Sequence, residues 1–355
     1  MPDSKDGMHL MKALIAGVVA SVAFASAFSP FALGHAPLGA GDNEALGDAT
    51  LIPNAEKSWA VYAELHEAGE AQYYKFDVTS GQRLYLMLYA SPGDADAGFL
   101  PHMALMAPGI DDEGSLPKYV ILPEGYGYRT VPSKRAEKPS YEAFAPGSFY
   151  SLSELRFEAG QGGTYYVVVF EEKMGGRYGL AVGEQESFTI EEYLLIPFST
   201  LNVYLWSGQS PIQVIAPMAA VVAIGIVTLY LAQVRTAVTR SAGSALAYVA
   251  GLIFVGSAAV KIYVMLVALS WTGLVGDAML TVTFVLAPLG IGAYAMKYSL
   301  GGRHRSQRVK MVIFALLGLI SWGGFLVGPA IAVAAAITPS SGGQQRTSLH
   351  REQSG

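Results

Sequence analysis

The chain of 355 residues contains no cysteine. Disulfides, thiolate metal sites, cysteine nucleophiles and a lipid anchor on an N-terminal cysteine are therefore excluded. The sequence also lacks the Gly-x-Ser-x-Gly elbow of hydrolases, the His-Glu-x-x-His helix of metalloproteases and the glycine-rich loop that cradles phosphates. Because no catalytic signature is present, we predict that the protein is not an enzyme.

The region from residue 35 to residue 210 lacks both long apolar runs and an excess of positive charge. Residues 35–210 carry 24 Asp and Glu residues against 11 Lys and Arg residues. From residue 211 to residue 337 the pattern reverses, with four long apolar runs joined by loops whose charges are almost all basic. This division predicts a multi-domain membrane protein: an acidic extracytoplasmic domain followed by a four-helix transmembrane bundle.

The first 34 residues have the pattern of a targeting segment. Lys5 and Lys12 precede an apolar stretch over residues 13–28, and small residues at Ala32 and Gly34 suit a cleavage site. Cleavage there would make His35 the mature N-terminus. The alternative is an uncleaved anchor, and both give the same sidedness for the residues that follow.

Residues 35–186 form the predicted extracytoplasmic domain, and from Trp59 onward its apolar and polar residues alternate with a period of two and show no helical pattern. Short runs rich in aromatic and β-branched residues are separated by turn material, which predicts an all-β sandwich. The predicted strands cover residues 59–65, 71–78, 83–89, 103–106, 119–122, 149–157, 164–170 and 177–182.

Two parts of this region resemble a known family. Residues 69–82 read Gly-Glu-Ala-Gln-Tyr-Tyr-Lys-Phe-Asp-Val-Thr-Ser-Gly-Gln and resemble the opening strands of the bacterial pre-peptidase C-terminal domain. Residues 162–169, Gly-Gly-Thr-Tyr-Tyr-Val-Val-Val, followed by Gly-Arg-Tyr-Gly-Leu at 176–180, resemble its closing pair. The resemblance implies a jelly-roll-like sandwich that serves as a non-catalytic accessory or binding module.

An insertion at residues 109–148 departs from that pattern. It carries aromatic residues among Pro, Gly and charged residues, and exposed rings with polar neighbours suit carbohydrate or peptide binding. The alternative is a long loop that folds back and covers the edge of the sandwich with its rings. The candidate ligand-binding residues are Tyr126, Tyr128, Tyr141 and Phe144.

The sequence offers candidate ligands for a copper site and for a calcium site, and the alternative is that the protein has no cofactor. A mature N-terminal His35 offers its amine and imidazole to copper, and His66 or His102 could complete the site. The alternative for these two histidines is an ordinary surface position. Calcium takes carboxylate oxygens, but their spacing here matches no calcium loop, and an acidic surface explains them as well. The candidate carboxylates are Asp94, Asp96, Asp111, Asp112 and Glu113.

The apolar half predicts a multi-pass protein of a prokaryotic plasma membrane. The linker at 187–210 predicts an amphipathic segment in the outer interface. The predicted spans are 211–232, 244–270, 274–297 and 309–337, and basic residues in the 233–243 and 298–308 loops place these loops in the cytoplasm. Four spans put the sandwich and a disordered tail at 338–355 outside the cell.

The spans contain almost no charge. Lys261 lies in the second span and Asp277 begins the third, so the two could meet across the outer hairpin as a relay or as a structural clamp.

The whole pattern favours a non-enzymatic cell-surface protein whose sandwich binds an external ligand or a partner subunit, docked by its membrane helices. The alternatives are an accessory subunit of a membrane enzyme or copper-handling system, and a small transporter. The predicted partners are the lipid bilayer and other membrane subunits or a second copy of the chain. The basic residues are explained by orientation in the membrane, so no nucleic acid is expected.

Overall fold

The structure, a computed structural model, describes residues 35–236, 241–299 and 305–338. The predicted targeting segment, the tail after residue 338 and the central parts of both basic loops lie outside the described residues. The described residues before the long helices form eleven strands: β1 (Ala36–Leu38), β2 (Thr50–Leu51), β3 (Trp59–Leu65), β4 (Ala71–Val78), β5 (Arg83–Ala90), β6 (His102–Pro108), β7 (Tyr126–Val131), β8 (Ser140–Glu142), β9 (Gly147–Glu158), β10 (Gly163–Phe170) and β11 (Gly176–Val182).

The strands form two mixed sheets that pack as a β-sandwich-like domain. One sheet has the order β1-β3-β11-β5-β9-β8 and the other the order β2-β4-β10-β6-β7. Alternate side chains of each strand point to the core between the sheets, as the period of two predicts. The largest of these buried side chains include Tyr74, Phe76, Leu86 and Leu88.

All but one of the predicted strands are present. The exception is 119–122, which is a turn and not a strand. Val120 is buried there against the outer face of the five-stranded sheet, and the Ile121 N–H donates a hydrogen bond of 2.8 Å to the Tyr73 hydroxyl. The apolar residues of this segment therefore pack on the face of a sheet and do not form a strand that pairs with a neighbour.

The insertion at residues 109–148 is built into both sheets. β7 pairs with β6 at the edge of the five-stranded sheet, and β8 pairs with β9 at the edge of the six-stranded sheet. The turn from β8 to β9 leaves the sandwich and contacts the helices. The insertion thus joins the two halves of the protein.

Seven helices complete the described chain. A short helix α1 (Pro92–Asp96) lies within the sandwich, and α2 (Ile190–Trp206) follows the last strand. Thr189 and Glu192 form a capping box that begins α2, so the linker predicted as amphipathic is helical. The remaining helices are α3 (Pro211–Thr236), α4 (Ala242–Thr272), α5 (Ala278–Ser299), α6 (Arg305–Ile320) and α7 (Val327–Ile337).

Three helices, α3, α4 and α5, are long and apolar enough to cross a membrane. They match the first three predicted spans within a few residues and indicate a membrane protein. The fourth prediction, one continuous span over 309–337, is wrong. At 1.5 Å per residue α6 is about 24 Å long and α7 about 16 Å, each shorter than the roughly 30 Å apolar core of a bilayer.

The break between α6 and α7 has a clear conformational cause. Gly324 has a φ of 74°, and three larger residues also occupy the left-handed region: Trp322 at 49°, Phe325 at 51° and Leu326 at 63°. An α-helix cannot continue through residues in this conformation, and each of the three larger residues costs on the order of 1 kcal/mol or more that packing must offset. The break therefore depends on contacts with the rest of the protein.

α6 and α7 fold back on each other as a hairpin. One buried cluster contains Met311 and Phe314 of α6 together with Ala332 and Ala335 of α7. In a continuous helix Met311 and Ala335 would be about 36 Å apart. The two helices are therefore antiparallel, and α7 ends at the end of the bundle where α6 begins. The prediction that residues after 338 are extracytoplasmic assumed a fourth complete crossing, which this hairpin does not provide.

Candidate functional site

The sandwich is joined to α2 by an aromatic cluster on the outer face of the six-stranded sheet. The rings of Tyr62 and Tyr89 lie 5.1 Å and 5.8 Å from the Trp206 ring, and Phe149 lies 5.1 Å from Tyr89. The Trp206 indole N–H donates to the Tyr178 carbonyl oxygen at 2.9 Å. This cluster fixes how α2 lies across the sheet.

Beside this cluster lies a cavity of about 170 Å³ between the sandwich and the helices. The sandwich contributes the start of β1, the middle of β3 and the turn after β8. The helices contribute one side of α2 and the break between α6 and α7. Its lining combines five aromatic rings with three ionisable side chains: Tyr62, Phe144, Phe188, Tyr193 and Trp322, and His35, Glu142 and Glu186.

Glu142 is the ionisable group with the most unusual environment in this cavity. It ends β8, and one of its carboxylate oxygens accepts a hydrogen bond of 3.0 Å from the Phe144 N–H. Burial raises the pKa of Glu142 to about 7, an effect that the Phe144 N–H opposes and the nearby charge of Asp277 increases. Near neutral pH this carboxyl group is therefore divided between its protonated and ionised forms.

His35 lines the same cavity. Its Nδ1 lies 2.5 Å from the Ser58 hydroxyl, and burial lowers the pKa of the imidazole to about 4. At neutral pH the ring is therefore uncharged. Around neutral pH the cavity therefore presents an uncharged imidazole, the partly ionised carboxyl group of Glu142 and several aromatic rings.

The break between α6 and α7, whose Trp322 lines the cavity, is held by polar contacts. The Tyr193 hydroxyl donates to the Ile320 carbonyl oxygen at 2.8 Å, and the Lys261 ammonium donates to the Ser321 carbonyl oxygen at 3.3 Å. Ile320 is the last residue of α6 and Ser321 follows it, and at the C-terminal end of a helix carbonyl groups lack partners and cations are favoured. The Gly324 N–H donates to the Ser257 hydroxyl at 2.8 Å.

The predicted pairing of Lys261 with Asp277 is wrong. Lys261 is directed to Ser321, and its ammonium lies 5.1 Å from the centre of the Phe284 ring. Asp277 is exposed just before α5 begins. The lysine therefore acts as a clamp between helices, but its partner is the end of a broken helix, which the sequence pattern did not reveal.

The four candidate ligand-binding aromatics do not form one site. Tyr126 and Tyr128 pack on the outer face of the five-stranded sheet, and their hydroxyls donate to the carbonyl oxygens of Thr164 and Gly114. Tyr141 lies instead beside the membrane helices, with its hydroxyl 2.8 Å from that of Thr281.

The fourth candidate, Phe144, lies in the cavity. Its ring is 5.8 Å from Phe284 and 6.3 Å from Trp322. Of the predicted group, Phe144 alone lines the cavity of about 170 Å³.

The three candidate copper ligands are also separated. His35 precedes β1, which pairs with the beginning of β3, whereas His66 follows the end of β3, roughly 25 Å away along the strand. His102 pairs with Phe170, which on its other side pairs with Ala71 at the start of β4. His102 therefore lies at the same end of the sandwich as His66. Its Nδ1 accepts a hydrogen bond from the Ser133 N–H. A copper site that joins His35 to either of the others does not fit this arrangement.

The candidate calcium carboxylates are dispersed, and three of them pair with arginine. Asp94 contacts Arg177, Asp96 contacts Arg135 and Glu113 contacts Arg129, at 3.0, 2.6 and 2.5 Å. A separate group of Glu44, His66 and Glu70 brings possible ligand atoms within 4.8 Å of one another. Glu70 already accepts hydrogen bonds from the backbone N–H groups of His66 and Glu67, so its carboxylate closes the turn between β3 and β4.

Among the lining residues that the sequence reasoning missed are Glu142, Tyr193 and Trp322. A signal for Trp322 was available, because Ser321-Trp322-Gly323-Gly324 interrupts an apolar run with two glycines. For Glu142 and Tyr193 the only signal was that each lies within a predicted connecting segment. Their convergence depends on the fold.

No model of a protein family matches this chain, and a search of curated proteins finds no relative of it. The resemblance to the pre-peptidase C-terminal domain therefore stays a prediction.

Proposed function

We propose that this protein is a non-enzymatic membrane-anchored binding protein that takes a small ligand into the cavity between its sandwich and its helices. The observation that carries the proposal is the composition of this cavity. Ligand sites are concave, mostly apolar and supplied with few polar groups, and they occur preferentially where domains meet. The cavity is lined by aromatic rings from both halves of the protein and by the buried carboxyl group of Glu142.

The volume limits the ligand to a few heavy atoms. A cavity of roughly 150 Å³ accommodates one benzene molecule. About 170 Å³ therefore suits a compound of that size or slightly larger. A whole peptide or oligosaccharide is larger than this volume, so we propose a small molecule as the ligand of this cavity.

A substitution that fills the cavity with a larger side chain tests this proposal. Ser199 lines the cavity, and its hydroxyl bonds only within α2, to the Leu195 carbonyl oxygen. We expect the full chain in dodecyl maltoside to bind at least one member of a panel of benzene-sized cations, neutral compounds and anions. We expect Ser199→Phe to weaken that binding at least about tenfold, because the added ring occupies the ligand's volume. Isothermal titration calorimetry measures both.

The matched control is Leu195→Phe, which places the same ring on an exposed position of the same helix. This variant should bind as the wild type does. The proposal is wrong if no compound of any class binds, or if Ser199→Phe and Leu195→Phe bind equally well.

We also propose that the sandwich is extracytoplasmic and that the tail after residue 338 is cytoplasmic. The basic loops support the first part, and the antiparallel hairpin of α6 and α7 supports the second. Because the chain has no cysteine, a single introduced thiol reports sidedness without background. In intact cells an impermeant maleimide should label Ser115→Cys, which is exposed in the sandwich, and should label Ser348→Cys only after lysis. Equal labelling of both thiols in intact cells would refute this topology.

A further inference from the structure

We propose that the ligand of the cavity is a small organic ammonium ion, enclosed by aromatic rings and balanced by the carboxylate of Glu142. The inference rests on the proposed function of the cavity and specifies the chemical class of its ligand. It follows from the charge, the surfaces and the size of the cavity, which are considered in turn.

The described part of the lining offers no lysine or arginine side chain. Its buried carboxyl group is that of Glu142, and His35 is neutral at neutral pH. Lys261 lies at a smaller neighbouring cavity, where its ammonium contacts Ser321. The buried carboxylate of Glu142 has no lysine or arginine beside it in the described wall, so a ligand that brings a positive charge would stabilise its ionised form.

The surfaces of the lining suit the same ligand. Aromatic faces attract cations through the electron density of the ring, and the attraction grows when water is excluded. Tyr193 and Trp322 pack 5.2 Å apart, and Phe144 lies 6.3 Å from Trp322. Alkylated ammonium ions fit such walls better than hydrated metal ions do, because their charge is covered by apolar groups.

The size agrees as well. A volume of about 170 Å³ accepts a trimethylammonium group with a short substituent, since roughly 150 Å³ accepts benzene. Choline therefore serves as the probe. Its carbon isostere, 3,3-dimethylbutan-1-ol, has the same shape without the charge and provides the matched comparison.

The experiment compares these two compounds on the full chain in nanodiscs of phosphatidylglycerol, which carries no ammonium group. At pH 8 we expect choline to bind at least about 30-fold more tightly than its isostere, because an ion pair at low dielectric is strong. Glu142→Gln should remove most of this difference. Tyr193→Leu should weaken choline about tenfold, whereas Tyr193→Phe, which keeps the ring, should not.

The pH profile separates charge from shape. Below about pH 7 the affinity for choline should fall about tenfold per pH unit, because the ligand competes with a proton for Glu142. The isostere should bind equally at pH 5 and pH 8. The pKa of His35 of about 4 keeps it neutral over this range. The other ionisable groups near Glu142 are Asp277, Glu186, Tyr62, Tyr89, Tyr141 and Tyr204.

The outcomes distinguish this inference from the proposed function. If the isostere binds as well as choline and Glu142→Gln changes neither, the cavity binds ligands but not cations, and the inference is refuted. If no compound of the panel binds, the proposed function fails first. Competition by added phosphatidylcholine nanodiscs supports a lipid headgroup as the source of the cation, and its absence beside choline binding supports a free solute.

Discussion

Replacing Gly179 by alanine is expected to destabilise the sandwich by about 3 kcal/mol and to loosen its contact with α2. Gly179 of β11 lies directly opposite Tyr89 of β5, and the Tyr89 ring lies across it. A Cβ atom at this position would be 2.0 Å from the ring. Overpacking of a close-packed site typically costs about 1–3 kcal/mol, and more where the neighbour cannot move.

The Tyr89 ring cannot move freely, because it is buried between Tyr62, Phe149 and Trp206. Its displacement would open the aromatic cluster that holds α2 on the sheet. Chemical unfolding of the full chain in detergent measures the loss of stability, and protease cleavage in the segment between β11 and α2 measures the loosening. Gly179→Ala combined with Tyr89→Leu should recover part of the lost stability, since the ring that clashes is absent.

Gly160→Ala is the matched control. Gly160 has no positive φ, and a Cβ atom there would meet nothing within 4 Å. This variant should be as stable as the wild type within about 0.5 kcal/mol. Equal stability of Gly179→Ala and Gly160→Ala would show that the Tyr89 ring is not fixed over the strand.

Glu142→Gln is expected to stabilise the protein at neutral and alkaline pH and to leave its stability unchanged below about pH 4.5. The pKa of Glu142 rises from 4.5 to about 7 on folding, because burial disfavours the carboxylate. Between these values the folded state binds more protons than the unfolded state, so the stability due to this group falls as the pH rises and levels off above about pH 7. The shift corresponds to at most about 3 kcal/mol, and partial access of water reduces it to about 1–2 kcal/mol.

His35 acts in the opposite direction. Its pKa falls from 6.5 to about 4 on folding, so its contribution to stability rises between these values and is complete above about pH 6.5. The two effects oppose each other between about pH 4.5 and pH 6.5, where we expect a nearly flat stability curve for the wild type. Glu142→Gln should expose the rising curve of His35, with a plateau above about pH 6.5.

Unfolding in detergent from pH 4 to pH 8 measures these curves. Glu67→Gln, at an exposed carboxyl group in the turn between β3 and β4, should reproduce the wild-type curve. A Glu142→Gln curve parallel to that of the wild type over the whole range would mean that Glu142 is hydrated in the folded protein.

Much of the architecture could be predicted because it depends on local patterns. A strand with one buried face repeats apolar residues with a period of two, so β3, β4, β5 and β10 were recognisable from their own residues. A helix that crosses a bilayer must be apolar over its whole length, which made α3, α4 and α5 equally clear.

The fourth span shows the limit of this reasoning. Hydropathy measures whether a segment is apolar, and 309–337 contains a single charged residue, Lys310. It does not measure whether the backbone can reverse. That reversal needs Lys261, Tyr193 and Ser257 to satisfy the backbone groups that the broken helix leaves free.

By itself, the sequence determined that a β-sandwich-like domain precedes apolar membrane helices in a chain without thiol chemistry. Only the tertiary structure decided where a ligand could bind. Glu142 is the last residue of a strand at the sheet edge, Tyr193 belongs to a linking helix and Trp322 lies in an apolar run. No spacing relates the three, because they belong to different elements and come together only when the sandwich packs on the helices. Periodicity reports the environment of a residue within its own element, whereas a cavity between domains depends on the packing of elements distant in sequence.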